Sequence, residues 1–209
     1  MSRITIIGGG AFGTALACVA RRNGADTMLW ARSDAIVASI NRGDGNPDYL
    51  PGITLEPGIT ATTDITAAIS GADAILLVTP AQFMRATTAQ LAGAMKPDSP
   101  VVICAKGIEQ QSGALMTEVA AETLPGHKLA VLSGPTFAAE VARGLPTAVT
   151  LACEDDDAAD MLVAAAVEIG SVGCHLIGPP ELAPDINADD RQRREYQQLI
   201  APIEFRQHQ

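Results

Sequence analysis

Short runs of β-branched and aliphatic residues alternate along the chain with longer, Ala-rich amphipathic stretches. That alternation is the pattern of βα units on a parallel sheet. Strands are predicted near 3–8, 26–30, 59–62, 74–78, 101–105, 128–132 and 148–152. Four of the runs, Ile4-Thr5-Ile6-Ile7, Ile75-Leu76-Leu77-Val78, Val101-Val102-Ile103-Cys104 and Leu129-Ala130-Val131-Leu132, lack clean alternation of apolar and polar positions. Strands that read this way are covered by helices on both faces. The spacing predicts a helix from Phe12 to Asn23 stopped by Gly24, and another from Gln82 to Met95 stopped ahead of Pro97. A doubly wound α/β sheet follows.

Other segments break the pattern. Gly, Pro and Asn are dense between Asn41 and Pro57, which predicts a mobile loop over the sheet. Glu154-Asp155-Asp156-Asp157 has the carboxylates a helix prefers in its first turn, leading into Met161 to Ile169. After Gly178-Pro179-Pro180 the periodicity fades, with one short helix predicted from an Asn187 cap to Ala201. The expected organisation is a nucleotide-binding domain over 1–172 and an irregular or short helical tail over 173–209.

The first strand runs into Gly8-Gly9-Gly10-Ala11-Phe12-Gly13, which fits G-x-G-x-x-G and leads directly into a helical pattern. In that setting Gly8 allows a tight turn and Gly10 lets the backbone approach a pyrophosphate. Gly13 lets helix and strand pack closely, with free N–H groups at the helix start facing the anion. This predicts dinucleotide binding on a Rossmann-type, mainly parallel sheet. About 20 residues on, an NAD-specific site usually carries a carboxylate for the ribose 2′-hydroxyl. Here the second strand ends Leu29-Trp30-Ala31-Arg32-Ser33. Arg32 suits a 2′-phosphate and Ser33 an added hydrogen bond, so NADP(H) is favoured over NAD(H), which stays open. The competing reading of Arg32 is a solvated loop cation.

Two further loops follow apolar strands. Lys106 closes Val101 to Ala105 and precedes Gly107, which places an ammonium at the carboxyl edge of the sheet, where such sheets bind ligands. Ser133-Gly134-Pro135-Thr136 precedes a predicted helix from Phe137 to Arg143 closed by Gly144. Its Thr136 reads equally as a helix cap in a plain turn or as a substrate-facing hydroxyl at an anion-binding helix start.

Composition narrows the partners. Lys+Arg 14 against Asp+Glu 24 gives a formal net charge of -10, the wrong sign for nucleic acid or an anionic membrane surface. Aromatic residues at 3% argue against a stacking surface for bases or sugars built on several rings, while 47% hydrophobic and 18% charged residues are those of a folded globular protein. The cysteines at 18, 104, 153 and 174 form no C-x-x-C pair, so they read as reduced and buried, with no metal site. The chain opens without a signal-like segment and carries no long apolar run, so a cytoplasmic location without membrane insertion is expected.

The order GGGAFGTALA, LWAR, NPDYLPGITL, AKGIE and LSGPTFAAEVARGLPTAVTLA resembles the N-terminal domain of bacterial NAD(P)-dependent glycerol-3-phosphate dehydrogenase, over about residues 3 to 153. Joint occurrence of KGIE and SGPTFAxE makes the resemblance specific. It implies nucleotide contacts at Ala11, Phe12, Arg32, Ser33 and Ala138. Lys106 would touch both cofactor and substrate, and Gly134 and Thr136 the substrate. The implied activity is reversible reduction of dihydroxyacetone phosphate to sn-glycerol 3-phosphate, a precursor of glycerophospholipid. The implied partner is a small phosphorylated substrate.

The family continues into a helical domain opening with G-G-x-x-K-N, whose lysine is the acid/base and whose later Asp and S-R-N residues bind substrate. No lysine follows Lys128 in this sequence, and no catalytic residue is identified. The expectation is therefore a truncated or frame-altered member with weak or absent turnover alone. Its alternative is a non-catalytic NADP(H)-binding module, or a subunit needing a partner. A relative acting on another small acid, as in 6-phosphogluconate or ketopantoate enzymes, is disfavoured by KGIE and SGPT. The face that would meet the helical domain is expected to expose apolar surface, covered by the tail or used for self-association, which predicts marginal solubility or dimerisation.

Overall fold

A computed structural model describes residues 2–145, 147 and 149–166. The elements run β1 (Arg3–Ile7), α1 (Ala11–Arg22), β2 (Asp26–Trp30), α2 (Asp34–Arg42), β3 (Ile59–Thr62), α3 (Ile65–Ile69), β4 (Ala74–Leu77), a 3-10 turn (Ala81–Phe83), α4 (Met84–Leu91), β5 (Val101–Ile103), α5 (Met116–Thr123), β6 (Leu129–Ser133), α6 (Ala138–Ala142), β7 (Thr150–Cys153) and α7 (Asp156–Ala166). They form a Rossmann-type doubly wound sheet of order β3-β2-β1-β4-β5-β6-β7, parallel except for β7. Strand order reverses between β1 and β4, and at such a switch point the two outgoing loops diverge and leave a crevice at the carboxyl edge.

The apolar runs lack alternation because each strand feeds two cores. Ile4, Ile6, Val102 and Cys104 pack with α1, α6 and α7, whereas Ile7, Val101 and Ile103 pack with Met84 and Leu91 of α4 and Val119 of α5. One polar position on β1 is accommodated by a partner: buried Thr5 donates from Oγ1 to the Ala68 carbonyl at 2.8 Å. Gly24 sits at φ +82 just past α1, as the stop signal predicted. Arg22 at the end of α1 donates to the Val141 and Ala142 carbonyls of α6, each at 2.8 Å. This joins two helix ends that are distant in sequence.

Several elements differ from the sequence reading. The helix expected over 82–95 is the 3-10 turn followed by α4, which stops at Leu91; Ala92 is extended and Gly93 takes φ +82. Met95 still packs against the core, so its apolar character was read correctly but its conformation was not. α6 begins at Ala138 with Phe137 as its cap residue, so Thr136 is not the cap. β7 spans Thr150–Cys153, and Ser133 faces Thr150 across the antiparallel pair. The intervening α6 has five residues, about 7–8 Å of rise. That is too short to carry the chain back along β6 for a parallel return, so β7 starts from the edge where β6 ends.

The segment between Asn41 and Pro57 is anchored where mobility was expected. Buried Asn46 donates from Nδ2 to the Gly9 carbonyl at 3.0 Å and to Thr14 Oγ1 at 2.7 Å, and Leu50 is buried. Asn41 ends α2 on edge strand β3, where its amide accepts from Ala61 N–H at 2.8 Å and donates to Ala61 C=O at 2.9 Å. Asp155 starts α7, accepting from Ala158 N–H and from Lys128 Nζ, both at 2.8 Å. Lys128 holds the Asp155 carboxyl below the ordinary carboxylate range. Cys18 and Cys153 are buried, and burial pushes both thiols up. No helix among the described residues is long and apolar enough to cross a membrane. The predicted helix from Asn187 to Ala201, the end of the helix predicted to Ile169 and the proposed boundary at 172/173 lie outside the described residues.

Candidate functional site

Parallel strands put their carboxyl ends, and the loops that follow them, along one edge. The glycine loop follows β1, Arg32 follows β2, the 3-10 turn follows β4, Lys106 follows β5 and Gly134 follows β6.

Gly8 has φ +134, and a Cβ there would stand 2.8 Å from the Val78 carbonyl oxygen. A Cβ at Gly13 would collide with the Gly8 carbonyl oxygen, so the start of α1 rests directly on the loop. Beside Gly10 the situation is opposite: nothing lies within 4 Å of where a side chain would be. The first turn of α1, beginning Ala11, Phe12 and Gly13, carries no acidic residue and no side-chain cap. Its N–H groups are thus left to an anion, with the positive end of the helix dipole behind them. Such a cradle fits a dinucleotide pyrophosphate. Ala11 and Phe12 are partly buried against the core that α1 shares with α6.

Arg32 is exposed, and its guanidinium lies 4.9 Å from the centroid of the Phe83 ring. That contact brings the ends of β2 and β4 together across β1 and orients a cation whose donors stay free for a ligand. No carboxylate among the described residues pairs with Arg32 or with Lys106. Ser33 caps α2, its Oγ accepting from Ile36 N–H at 3.4 Å. Its hydroxyl proton remains available to a phosphate.

Lys106 Nζ donates to the Gly134 carbonyl at 3.1 Å, which joins the two loops that the sequence singled out separately. Thr136 is half-buried within the turn, and Ala138 opens α6. Behind Lys106 the loop is braced. Buried Glu109 accepts from Arg85 Nε at 2.9 Å and Nη2 at 2.9 Å, and from Ser112 Oγ at 2.5 Å. The Arg85 guanidinium, seconded by Ser112, holds the Glu109 carboxyl below its ordinary range, and the carboxylates of Glu109 and then Glu122 push the Arg85 guanidinium up in turn. Cys104, just upstream, is fully buried, and desolvation pushes its thiol up to about 12. It is therefore no nucleophile at neutral pH.

The sequence reading missed Phe83, Gln82, Arg85 and Asn46. Phe83 carried a signal: phenylalanine is scarce in this chain, and here one sits six residues past the end of β4. The partners of Gln82 and Arg85 lie 24 to 37 residues away. No local pattern records them.

The family described as NAD-dependent glycerol-3-phosphate dehydrogenase N-terminus matches residues 3–159. The glycerol-3-phosphate dehydrogenase (NAD(P)+) of Brucella canis is 54% identical over 163 residues, covering 78% of this chain and 50% of that protein. Its namesake from Rhodospirillum rubrum is 53% identical over 165 residues, covering 79% and 47%. Among solved structures, glycerol-3-phosphate dehydrogenase from Coxiella burnetii superposes with a TM-score of 0.75 at 29% identity, covering 86% of this chain and 54% of that one. The chain spans about half the length of the relatives it matches. With well over half of its residues matched by that family and its glycine loop, Lys106 and Gly134 assembled on one sheet edge, the chain belongs to the family of the glycerol-3-phosphate dehydrogenase N-terminal domain.

Proposed function

We propose that this chain is the cofactor-binding half of a glycerol-3-phosphate dehydrogenase, holding NADP(H) for the reversible reduction of dihydroxyacetone phosphate to sn-glycerol 3-phosphate. The observation that carries the reading is the 3.1 Å contact between Lys106 and Gly134, on the same edge as the glycine loop. Gly8, Gly10 and Gly13 shape the pyrophosphate cradle, with Ala11 and Phe12 opening the helix behind it. Arg32 takes the 2′-phosphate, and Ser33 donates to it. When bound, the dinucleotide supplies the hydride. Lys106 holds negative charge where cofactor and substrate meet, Gly134 and Thr136 face the substrate, and Ala138 lies on the cofactor side. Hydride addition to a ketone also needs a proton donor, worth about 10²–10⁴-fold in rate. Glu109 and Arg85 are engaged with each other, and no described residue is assigned that task. Turnover by this chain alone is accordingly expected to be low.

The experiment is a fluorescence titration with NADPH and NADH, followed by an assay with dihydroxyacetone phosphate. The wild-type chain should prefer NADPH. Arg32→Ala should weaken NADPH about 10-fold or more, the loss of a charge-assisted phosphate contact, and leave NADH nearly unchanged. Equal loss for both cofactors would reject the 2′-phosphate role. Binding without oxidation would reject turnover by the chain alone and leave the dinucleotide-binding role standing.

A further inference from the structure

Lys106 sits in a loop that contains no regular element between β5 and α5 apart from one isolated bridge, Ile108 to Leu115. Left to itself, such a loop would let a four-carbon side chain roam, and a phosphate-binding ammonium placed that loosely loses orientation. Arg85 and Ser112 hold that loop at Glu109, and Gln82 of the 3-10 turn holds it nearer to Lys106. Its side-chain Nε2 donates to the Ile108 carbonyl at 2.8 Å, and its Oε1 accepts from Gln110 N–H at 2.9 Å. One amide thus bonds both a donor and an acceptor of the loop backbone, just after Lys106. Gly107 has φ +122, and a Cβ there would stand 3.4 Å from the Ala81 side chain, so the loop also lies against the residue before Gln82. Phe83, the next residue, carries the Arg32 guanidinium.

We propose that Gln82 is a positioning residue for Lys106: by bonding Ile108 and Gln110 it fixes the loop so that the Lys106 ammonium rests on the Gly134 carbonyl. The proposal deepens the reading of Lys106 as the cation between cofactor and substrate and depends on that reading for its functional meaning. The same three-residue turn carries Phe83 beneath Arg32 and Gln82 beside the Lys106 loop. Gln82 is exposed, and net stabilisation by exposed hydrogen bonds is small, so its role is separable from folding.

The test uses the full 209-residue chain with lysines dimethylated with carbon-13, so that Lys96, Lys106 and Lys128 each give a resonance assignable by arginine replacement. In Gln82→Ala the Lys106 resonance should move onto the position of a freely solvated dimethyl-lysine, while those of Lys96 and Lys128 stay in place. Gln82→Glu keeps the acceptor for Gln110 and loses the donor to Ile108; it should give a smaller displacement in the same direction and serves if the alanine variant does not fold. An unmoved Lys106 resonance in both variants overturns the proposal. So does a lowered melting temperature with the resonance in place, the signature of a merely structural Gln82. No ligand enters these measurements. A parallel NADPH titration of the wild type followed by Trp30 fluorescence judges the cofactor reading separately, so either can fail alone.

Discussion

Gly13 shows how one missing side chain governs both packing and ligand geometry. Its hydrogen faces the carbonyl oxygen of Gly8, where any Cβ would overlap it, so α1 can start hard against the loop that β1 feeds. Gly13→Ala must push helix and strand apart or twist the Gly8 peptide. The expected cost is about 1–3 kcal/mol or more, as for other overpacked sites, seen as a lower urea midpoint with an unchanged slope. Dinucleotide affinity should fall with it, because the N–H groups of the first turn move with the helix. An unchanged urea midpoint would contradict the contact. These glycines were legible from sequence because their roles are local: strand, loop and helix are contiguous. Lys106 and Gly134 were legible as strand-end residues, but their 3.1 Å contact depends on β5 and β6 being neighbours.

At the scale of elements, the segment after α2 marks where composition misleads. Gly, Pro and Asn between Asn41 and Pro57 announce irregular backbone, and the backbone is irregular there. Irregular is not loose, however: Asn46 is buried with its amide on Gly9 and Thr14, across 37 and 32 residues of sequence. Asn46→Ala should cost about 1–3 kcal/mol, the usual range when a buried polar group loses its partner. Amide exchange should accelerate from Asp44 to Ile53 and at the glycine loop together, because one side chain ties both. Exchange confined to 44–53 would show that the tie to Gly9 is dispensable. Strand positions were read well because four runs were apolar on both faces. Helix ends and the antiparallel return of β7 were read less well, since Gly93 and the shortness of α6 act through the whole path of the chain rather than through local periodicity.

For the whole molecule, acidity decides the pH response. Asp73 is held below the ordinary 3.8 by the Arg3 N–H and then Lys96, Asp155 by Lys128 and then the Ala158 N–H, and Glu109 below 4.5 by Arg85 and then Ser112. A carboxylate that binds its proton less readily when folded stabilises the fold above its unfolded value. That contribution is lost as pH falls through the folded value. Melting temperature should therefore decline steeply below about pH 4.5, and Asp73→Asn should lower the plateau and flatten part of that decline. At the other end, a net charge of -10 repels itself. Added salt should raise the melting temperature more at pH 8 than at pH 5. A melting temperature that is level from pH 6 to pH 3 would remove these three carboxylates from the account.

The strand β3 is a border of the sheet. Along β3 the outward N–H and C=O of Ala61 are both taken by the amide of Asn41, a side chain acting as a single residue of an eighth strand. Unpaired borders recruit other chains into growing sheets, and even one such plug interrupts the row of free groups that a recruit would need. Asn41→Ala would reopen it. That predicts slow, concentration-dependent fibrillar assembly seeded at β3.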